Sequence, residues 1–415
     1  MRIALIGPYA GATLSAHFPF ATDGASLPAG YPGAPLMTAL AKALVERGHR
    51  VGCISTDYTT PVDQLEPFRV FHAPGVAAYF CPQRPHSFRS AGGRLGRSLD
   101  HFKFERECLL AAIKDFAPDL IHAHWTYEFV WAALDSGVPT LATAHDSPAK
   151  VLRFTPNLYR AARYLMARRV LTRCQHLTAV SPDLANDLHN WTDALVSVVP
   201  NPIPDEVLAA PGCTATAFQS KTLVMVLNGW TSLKNGSTAL RAFKLARRGN
   251  PELQLVCFGS GFESGGAAHR WAAARGLDAN VSFRGPVPHR VIIEQMRNST
   301  ALLHPSRWEA CCMSIAEAMS VGLPVIAGRK TDGVPWQLDN GKAGALVDVT
   351  DAEAIADGIA AVATDAVQWH RWSETGRARA RRLFSSDAVV DRYVDLYAGV
   401  RSGRAEHHTP VGATP

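Results

Sequence analysis

Two glutamates, Glu309 and Glu317, stand on either side of a predicted helix start with seven residues between them. Glu309 follows a short apolar run, and residues 314–320 have the apolar spacing of a helix. The free N–H groups and positive dipole potential of a helix start suit a diphosphate, and the amides of residues 312–314 would supply them. Carboxylates beside a bound phosphate can accept hydrogen bonds from sugar hydroxyls. The spacing therefore predicts a site for a phosphate-bearing sugar.

Glu317 also has a purely structural interpretation. The tetrapeptide 314–317, Ser-Ile-Ala-Glu, has the spacing of a capping box, in which the glutamate only satisfies the first amides of its own helix. That interpretation leaves Glu309 unexplained, because a charged residue beside Trp308 after a buried strand has no capping role. Both interpretations of Glu317 stay open at this point.

The elements that must position these residues begin with an alternating first half. Its predicted strands are 2–6, 51–55, 119–124, 139–145, 176–180 and 195–199, and its first predicted helix is 36–47. Short apolar strands separated by helices predict a parallel sheet that is covered on both faces. Three prolines between 200 and 204 then exclude helix and central strand, so we expect a stiff linker there.

A second alternation fills the remainder of the chain. Its predicted strands are 222–227, 253–258, 281–283, 300–304 and 324–327, and its predicted helices are 238–247, 267–275, 290–296, 314–320 and 387–397. Two such domains create a cleft, and ligands bind outside the carboxyl ends of the strands. We predict an N-terminal domain (1–200), a linker (201–220), a second domain (221–385), a helix packing back on the N-terminal domain (386–400) and a disordered tail (401–415).

Composition excludes several classes of protein. The 415 residues are 47% hydrophobic and 19% charged, which excludes an intrinsically disordered chain. The formal net charge of +6 suits an anionic ligand or membrane surface and does not argue for nucleic acid. The sequence shows neither a secretory signal nor an apolar run of membrane-spanning length. Its eight cysteines lack Cys-x-x-Cys spacing, so we expect free thiols in a reducing cytoplasm.

Three histidines, His122, His124 and His145, end two neighbouring predicted strands. A zinc site needs a tight cluster with carboxylate or thiolate partners, and the sequence places none beside them. Simple packing is the alternative for each histidine, and it suits His122 best. His145, which Asp146 follows at a strand end, is the better functional candidate.

Two basic stretches and one long loop complete the candidate features. Residues 150–173 and 84–106 are rich in arginine with apolar residues between, which fits docking on an anionic membrane. The alternative is a solvated helix face. Residues 9–35, rich in Gly, Ala and Pro, form an unusually long loop, where we expect part of an acceptor site.

Motifs along nearly the whole chain occur together in the order of one known family. They are the Glu309–Glu317 pair and the segments 46–51, 118–125, 143–146, 180–181, 199–202, 258–261 and 281–285. With them the chain resembles the retaining glycosyltransferases of family 4. The resemblance implies the GT-B fold, an α/β architecture of two Rossmann-like, doubly wound parallel-sheet domains that face each other across a cleft.

The resemblance also implies roles for single residues. Glu317 would bind the donor's ribose hydroxyls, Glu309 would contact the transferred sugar, and His145 would lie across the cleft beside the acceptor. Lys234 and the helix amides would hold the diphosphate as its charge develops, without a metal ion or another cofactor. The implied catalytic residues are His145 and Glu309, the donor-binding residues are Lys234, Glu317, Cys312, Met313, Ser314, Gly229, Gly259 and Arg284, and the acceptor-binding residues are Gly11, Ala12 and His124.

The chain departs from the family pattern at three places. Gly229-Trp230 stands where the family usually has an arginine, so Arg307, Arg329 or Lys330 would have to supply the missing cation. Residues 310–313 are Ala-Cys-Cys-Met instead of Gly-Phe-Gly-Leu, which places side chains where a backbone should approach a phosphate. A later Pro-Glu is Pro-Trp here, at 335–336.

The sequence therefore predicts a metal-independent retaining hexosyltransferase. It would move a sugar from a nucleoside diphosphate to a glycan or lipid-linked acceptor during synthesis of bacterial cell-surface polysaccharide or glycolipid. We expect it in the cytoplasm, with peripheral contact at the inner face of the plasma membrane and no nucleic-acid partner. The alternatives are a GT-B-fold nucleotide-sugar epimerase or hydrolase, and a non-catalytic protein that binds sugar nucleotides.

Overall fold

The structure is a computed structural model that describes residues 1–21, 26–31, 35–63, 66–90 and 93–402. Its contacts divide the chain into two compact units. The first unit comprises Met1–Pro202 and the chain from Ser386 onward, and the second comprises Ile203–Ser385. The division after Pro202 falls inside the segment predicted as a linker, 201–220, and the later residues of that segment belong to the second unit.

Eight strands form one sheet among the described residues of the first unit. They are β1 (Arg2–Ile6), β2 (Arg50–Asp57), β3 (Arg69–Ala73), β4 (Val76–Pro82), β5 (Leu120–His124), β6 (Thr140–Ala144), β7 (Leu177–Ala179) and β8 (Val196–Val198). Their spatial order is β3-β4-β2-β1-β5-β6-β7-β8. All neighbours are parallel except β3 and β4, an antiparallel pair. In the central strand β1, the apolar residues 3–6 are all buried, as a strand covered on both faces requires.

Six parallel strands form the sheet that the structure describes in the second unit. They are β9 (Thr222–Val226), β10 (Gln254–Phe258), β11 (Val281–Gly285), β12 (Ala301–His304), β13 (Val325–Gly328) and β14 (Ala345–Val347). Their spatial order is β11-β10-β9-β12-β13-β14. Since β9 and β12 are neighbours, with Leu223 opposite Ala301, the loops that follow these two strands emerge side by side.

Helices cover both sheets. In the first unit they are α1 (Gly11–His17), α2 (Pro35–Glu46), α3 (Lys103–Phe116), α4 (Glu128–Asp135), α5 (Pro148–Phe154), α6 (Leu158–Leu171) and α7 (Pro182–Leu188). The second unit contains α8 (Asp205–Leu208), α9 (Gly236–Gly249), α10 (Ala267–Ala273), α11 (His289–Arg297), α12 (Met313–Ser320), α13 (Gly333–Gln337), α14 (Ala352–Thr364) and α15 (Ala366–Phe384). The chain then returns to the first unit as α16 (Ser386–Ser402).

Helix α16 is anchored in the first unit by burial and by charge. Tyr393 and Tyr397 are buried in the same apolar cluster as Leu40 of α2. Burial of large apolar side chains contributes roughly 2 kcal/mol each, so these tyrosines hold the helix firmly. At the surface Arg47 bonds both Asp387 and Asp391, at 2.9 and 2.7 Å.

Three expectations about irregular segments need correction. The predicted loop 9–35 contains α1, and Gly30 bridges back to Ala10; residues 22–25 and 32–34 lie outside the described residues. The predicted linker 201–220 contains α8 and a 3₁₀ turn at Phe218–Ser220, so it is not a plain irregular stretch. The last helix reaches Ser402 instead of ending at 400, and the remaining tail, 403–415, lies outside the described residues.

Candidate functional site

Asn235 fixes the loop that carries Glu309. It lies just before α9 with a φ of 57°, a left-handed conformation that asparagine tolerates. Its side-chain amide donates to the carbonyls of Pro305 at 3.0 Å and Val349 at 2.7 Å. The buried Asn235 therefore ties the loop after β9 to the loop after β12. This tie brings Lys234 and Glu309, which are far apart in sequence, to one place.

Lys234 and Glu309 form an ion pair at the carboxyl ends of β9 and β12. Lys234 Nζ lies 2.6 Å from Glu309 Oε1, and His304 Nε2 lies 3.2 Å from the same oxygen. Burial raises the pKa of Glu309, but the hydrogen bond from His304 and the charge of Lys234 outweigh it and lower that pKa to about 2. Burial lowers the pKa of Lys234, yet Glu309 raises it overall. Glu309 is thus an ionised carboxylate with a cation in contact at neutral pH.

A thiol extends this network, because it contacts the same His304 nitrogen as Glu309 does. Cys312 Sγ lies 3.4 Å from His304 Nε2 and 3.2 Å from Ser314 Oγ. Burial lowers the pKa of His304, but interaction with Cys312 and the hydrogen bond to Glu309 raise it to about 9. Among the described residues, His304, Glu309 and Cys312 form the group whose side chains could hold a metal ion.

At the start of α12, one of the backbone amides predicted to bind phosphate already has a hydrogen-bond partner. Gln337 accepts the Cys312 N–H at 2.8 Å and donates to the Cys312 carbonyl at 3.0 Å. The Cys312 amide would have to leave Gln337 before it could bind a phosphate. Cys312 has an extended backbone with a φ of −80°, so this position does not require glycine for its conformation. Met313 and Ser314 follow it as the first residues of the helix.

Glu317 faces another helix instead of capping its own. Helix α12 starts at Met313, so Ser314 lies inside the helix and the capping-box interpretation of 314–317 is wrong. Glu317 is only 9% exposed, and His289 Nε2, at the start of α11, donates to its Oε1 at 3.0 Å. This hydrogen bond raises the pKa of His289. The structural interpretation of Glu317 therefore loses its main support.

Two of the remaining donor-site candidates, Gly229 and Gly259, follow the neighbouring strands β9 and β10, and the third, Arg284, lies within β11. Gly229 has a φ of +101° and donates to the Ser260 carbonyl at 2.9 Å. Gly259 has a φ of +105°, and a Cβ there would lie 2.0 Å from the Leu227 carbonyl oxygen, so only glycine fits. Arg284 is an exposed residue of β11. The structure brings Gly229 and Gly259 together, whereas no contact of Arg284 with the Glu309 network is observed among the described residues.

Trp230 stands at the position where the family pattern has a cation, and its ring packs against other aromatic side chains. It packs against Phe262 and Trp271, with ring centroids 5.5 and 5.4 Å away. The candidate substitutes for the missing arginine, Arg307, Arg329 and Lys330, are all exposed. Lys234 and His304 are the cationic groups that contact Glu309 directly in the described part of the chain.

The histidines of the first unit form a separate cluster. Strands β5 and β6 pair with His124 opposite Thr143, which places His145 just beyond the end of β6. His124 Nδ1 lies 2.8 Å from His145 Nε2, and Trp125 stacks on the His145 ring at 4.1 Å. Burial lowers the pKa of His145 to about 3, and burial also holds the pKa of His124 well below its usual range. Both are neutral hydrogen-bonding groups at physiological pH.

The other candidates of the first unit have structural contacts. His122 is buried between Tyr397 Oη and Thr143 Oγ1, each at 2.8 Å, as its packing interpretation requires. The amide of Gly11 donates to the Ala29 carbonyl at 3.1 Å, and a Cβ on Gly11 would collide with the Pro28 carbonyl. Ala12 is exposed on α1.

Sequence reasoning missed the partners that set the charge of the site. His304, His289 and Gln337 each contact a predicted residue directly. A signal existed for His304, which ends an apolar strand immediately before the segment of interest. Gln337 and His289 gave none, since only the fold brings them near.

Comparison with known proteins agrees with this architecture. Residues 35–207 match the family described as Glycosyltransferase Family 4, and residues 216–379 match Glycosyl transferases group 1. The chain belongs to the GT-B glycosyltransferases of the family 4 type. No described helix is both long and apolar enough to cross a membrane.

Two named relatives are similar in sequence to this chain over more than two thirds of its length. N-acetyl-alpha-D-glucosaminyl L-malate synthase of Bacillus anthracis is 22% identical over 377 residues, 88% of this chain and 92% of that protein. D-inositol 3-phosphate glycosyltransferase of Saccharomonospora viridis is 28% identical over 315 residues, 69% of this chain and 72% of that protein.

Solved structures show the same fold. Sucrose-phosphate synthase from Thermosynechococcus elongatus has a TM-score of 0.73 at 20% identity, covering 97% of this chain and 100% of that one. HepE from Anabaena in complex with UDP-glucose has a TM-score of 0.67 at 14% identity, covering 96% and 100%.

Proposed function

We propose that this glycosyltransferase moves a hexosyl group from a nucleoside-diphosphate sugar to a glycan or lipid-linked acceptor, with retention of anomeric configuration. The proposed setting is bacterial cell-surface polysaccharide or glycolipid synthesis at the inner face of the plasma membrane. The proposal also holds that transfer needs no metal ion.

The observation that carries this proposal is the Lys234–Glu309 ion pair beside the start of α12. The depressed pKa of Glu309 keeps the carboxylate ionised, so it can accept hydrogen bonds from sugar hydroxyls. Lys234 supplies a half-buried cation that can turn from Glu309 towards a diphosphate. On the resemblance, Glu317 takes the ribose hydroxyls, and its carboxylate is already oriented by His289.

The same residues can stabilise the leaving group. Breaking the bond between sugar and diphosphate places negative charge on the diphosphate, and groups already aimed at that charge lower the barrier. Lys234 and the free amides of the first turn of α12 would fill this role. The ammonium of Lys234, once turned to the diphosphate, and the helix dipole would supply the stabilisation that a divalent cation supplies in other enzymes.

The donor and acceptor classes rest on similarity. HepE, which shares the fold, was solved with UDP-glucose, and this supports a nucleotide-sugar donor. The names of two relatives specify L-malate and D-inositol 3-phosphate, so small anionic acceptors also occur among similar proteins. The role of His145 beside the sugar and acceptor stays a prediction from the resemblance.

We propose that the membrane contact lies on α6. Several arginines of the two basic stretches are neutralised within the fold, as Arg84 is by Asp100 and Glu105. Arg168 and Arg169 remain exposed on α6, and Leu165 of the same helix is 56% exposed. Exposed arginines beside an exposed leucine suit an anionic bilayer surface.

Thermal unfolding with a panel of UDP-, GDP- and ADP-sugars tests the donor proposal. A ligand at one hundred times its Kd stabilises by about 2.7 kcal/mol, which corresponds to a rise in Tm of about 3 °C for a chain of 415 residues that unfolds as one unit. We expect this rise for one nucleotide class, and its loss in Lys234→Met. Lys221→Met removes a different lysine of the second unit, paired at the surface with Glu252, and should respond like the wild type. Failure of every nucleotide sugar to raise Tm would refute the donor assignment.

A further inference from the structure

Three metal-ligating side chains of different chemistry converge in the second unit. His304 ends β12, Glu309 lies in the following loop, and Cys312 immediately precedes α12. One ligand atom from each lies within 4.8 Å of the other two. His304 and Cys312 are almost fully buried, with 2% and 5% exposure. The proposed transferase reaction uses the carboxylate of Glu309 and has no role for the Cys312 thiol.

The distances match those of ligands that share one tetrahedral ion. Zinc bonds of roughly 2.3 Å to sulfur and 2.0–2.1 Å to nitrogen or oxygen place sulfur and nitrogen about 3.6 Å apart, and nitrogen and oxygen about 3.4 Å apart. Cys312 Sγ and His304 Nε2 are 3.4 Å apart, and His304 Nε2 and Glu309 Oε1 are 3.2 Å apart. Binding therefore needs movements of a few tenths of an ångström at these two pairs.

We propose that His304, Glu309 and Cys312 form a site for a thiophilic divalent cation of the Zn²⁺ class. The ligands would be an imidazole nitrogen, a carboxylate oxygen and a thiolate, with the fourth position left to water. Gln337 holds the Cys312 backbone from both its N–H and its carbonyl, and so orients the thiol towards His304. The ion replaces the thiol proton and any proton on His304 Nε2, so binding releases protons and weakens at low pH.

Occupancy of this site would oppose catalysis. The ion would take Glu309 Oε1 from Lys234, whose ammonium now lies 2.6 Å from that oxygen, and its charge would repel the ammonium. This consequence rests on the proposed function, because it matters only if Glu309 binds the donor sugar. A bound ion and a bound nucleotide sugar should then exclude each other.

Titration of the metal-free, reduced full-length protein with Co²⁺ tests the site without any need for turnover. We expect one ion per chain and a near-ultraviolet sulfur-to-cobalt charge-transfer band, which Zn²⁺ abolishes by displacement. Cys312→Ser should remove the band, and His304→Gln should weaken binding by more than about 100-fold, since even outer-shell partners cost 10–100-fold. Cys311→Ser changes the adjacent, half-buried thiol and should leave the titration unchanged.

Two results would overturn the site. One is the absence of a charge-transfer band in wild-type protein at Co²⁺ concentrations that saturate a zinc site. The other is a band that Cys312→Ser preserves, or that Cys311→Ser removes equally, in variants whose circular dichroism shows the wild-type fold. A separate experiment tests whether the nucleotide sugar identified in the thermal screen competes with Co²⁺ for the site. A cobalt band without such competition would uphold the metal site and contradict the shared use of Glu309.

Discussion

The substitution Glu309→Gln separates the catalytic from the structural role of the central carboxylate. Glutamine has nearly the same shape as glutamate but carries no charge. The change therefore leaves Lys234 and His304 in place and removes the negative charge at 2.6 Å from the first and 3.2 Å from the second. Lys234 then keeps its positive charge in a half-buried place without a counter-charge, and His304 loses one of the interactions that raise its pKa.

The pKa of Glu309 sets the magnitude of the stability effect. The value falls from 4.5 to about 2 in the folded protein. One pKa unit corresponds to about 1.4 kcal/mol, so ionisation of Glu309 contributes up to about 3 kcal/mol. Because the folded pKa is the lower one, this contribution is complete above about pH 4.5 and is lost as pH falls towards 2. Glu309→Gln should lower the free energy of unfolding by up to about 3 kcal/mol at pH 7 and much less at pH 2.5.

Urea unfolding and initial-rate kinetics measure the two roles independently. Removal of one preorganised electrostatic group at a developing charge costs about 10²–10³-fold in kcat. We expect a loss of that size in Glu309→Gln at a temperature where the variant stays folded. Glu252→Gln changes an exposed glutamate of the same unit and serves as the control. A destabilised variant with wild-type kcat would refute the catalytic role, and an unchanged unfolding free energy at pH 7 would refute the electrostatic reasoning.

Three further substitutions test other parts of the account. Arg163→Met leaves the buried Glu128 without its partner and should cost about 3–5 kcal/mol in urea unfolding; a cost below 1 kcal/mol would contradict a buried ion pair. His289→Ala removes the charged hydrogen bond to Glu317. It should raise the donor KM by about 10-fold or more with little change in kcat. An unchanged KM would contradict a role of Glu317 in donor binding. Replacing Arg168 and Arg169 by glutamate should abolish cosedimentation with anionic vesicles, because each arginine near the surface contributes about 1 kcal/mol of binding free energy. Equal binding of the wild type to anionic and zwitterionic vesicles would contradict the docking role of α6.

The fold was largely predictable because its strands are continuous apolar runs. Each end of the central strands β1, β5 and β6 lies within one residue of its predicted position. These strands are buried on both faces, so their sequences do not depend on an alternation of apolar and polar residues. The hairpin β3–β4 was not predicted. Strand β3 is half-exposed at the sheet edge, and its sequence lacks the apolar continuity of the others. Helix α1 was missed because small residues and glycine obscure its pattern.

The site was predictable where the chemistry lies in one segment. Glu309 and Glu317 stand out by their type and spacing, and Lys234 by its place after the first strand of the second unit. The protonation of the site was not predictable, because it depends on contacts that only the fold creates. The hydrogen bond between the Gln337 side chain and the Cys312 backbone and the hydrogen bond from His289 to Glu317 both join elements that are far apart in sequence.

The anomeric configuration of the product tests the central claim most directly. The enzyme would be incubated with the stabilising nucleotide sugar and candidate acceptors in the presence of a chelator, and the product followed by proton NMR from the first turnovers. The account predicts that nucleoside diphosphate is released only when acceptor is present and that the new glycosidic bond keeps the donor's anomeric configuration. An inverted linkage, a strict requirement for a divalent cation, or conversion of the donor at full rate without acceptor would contradict it.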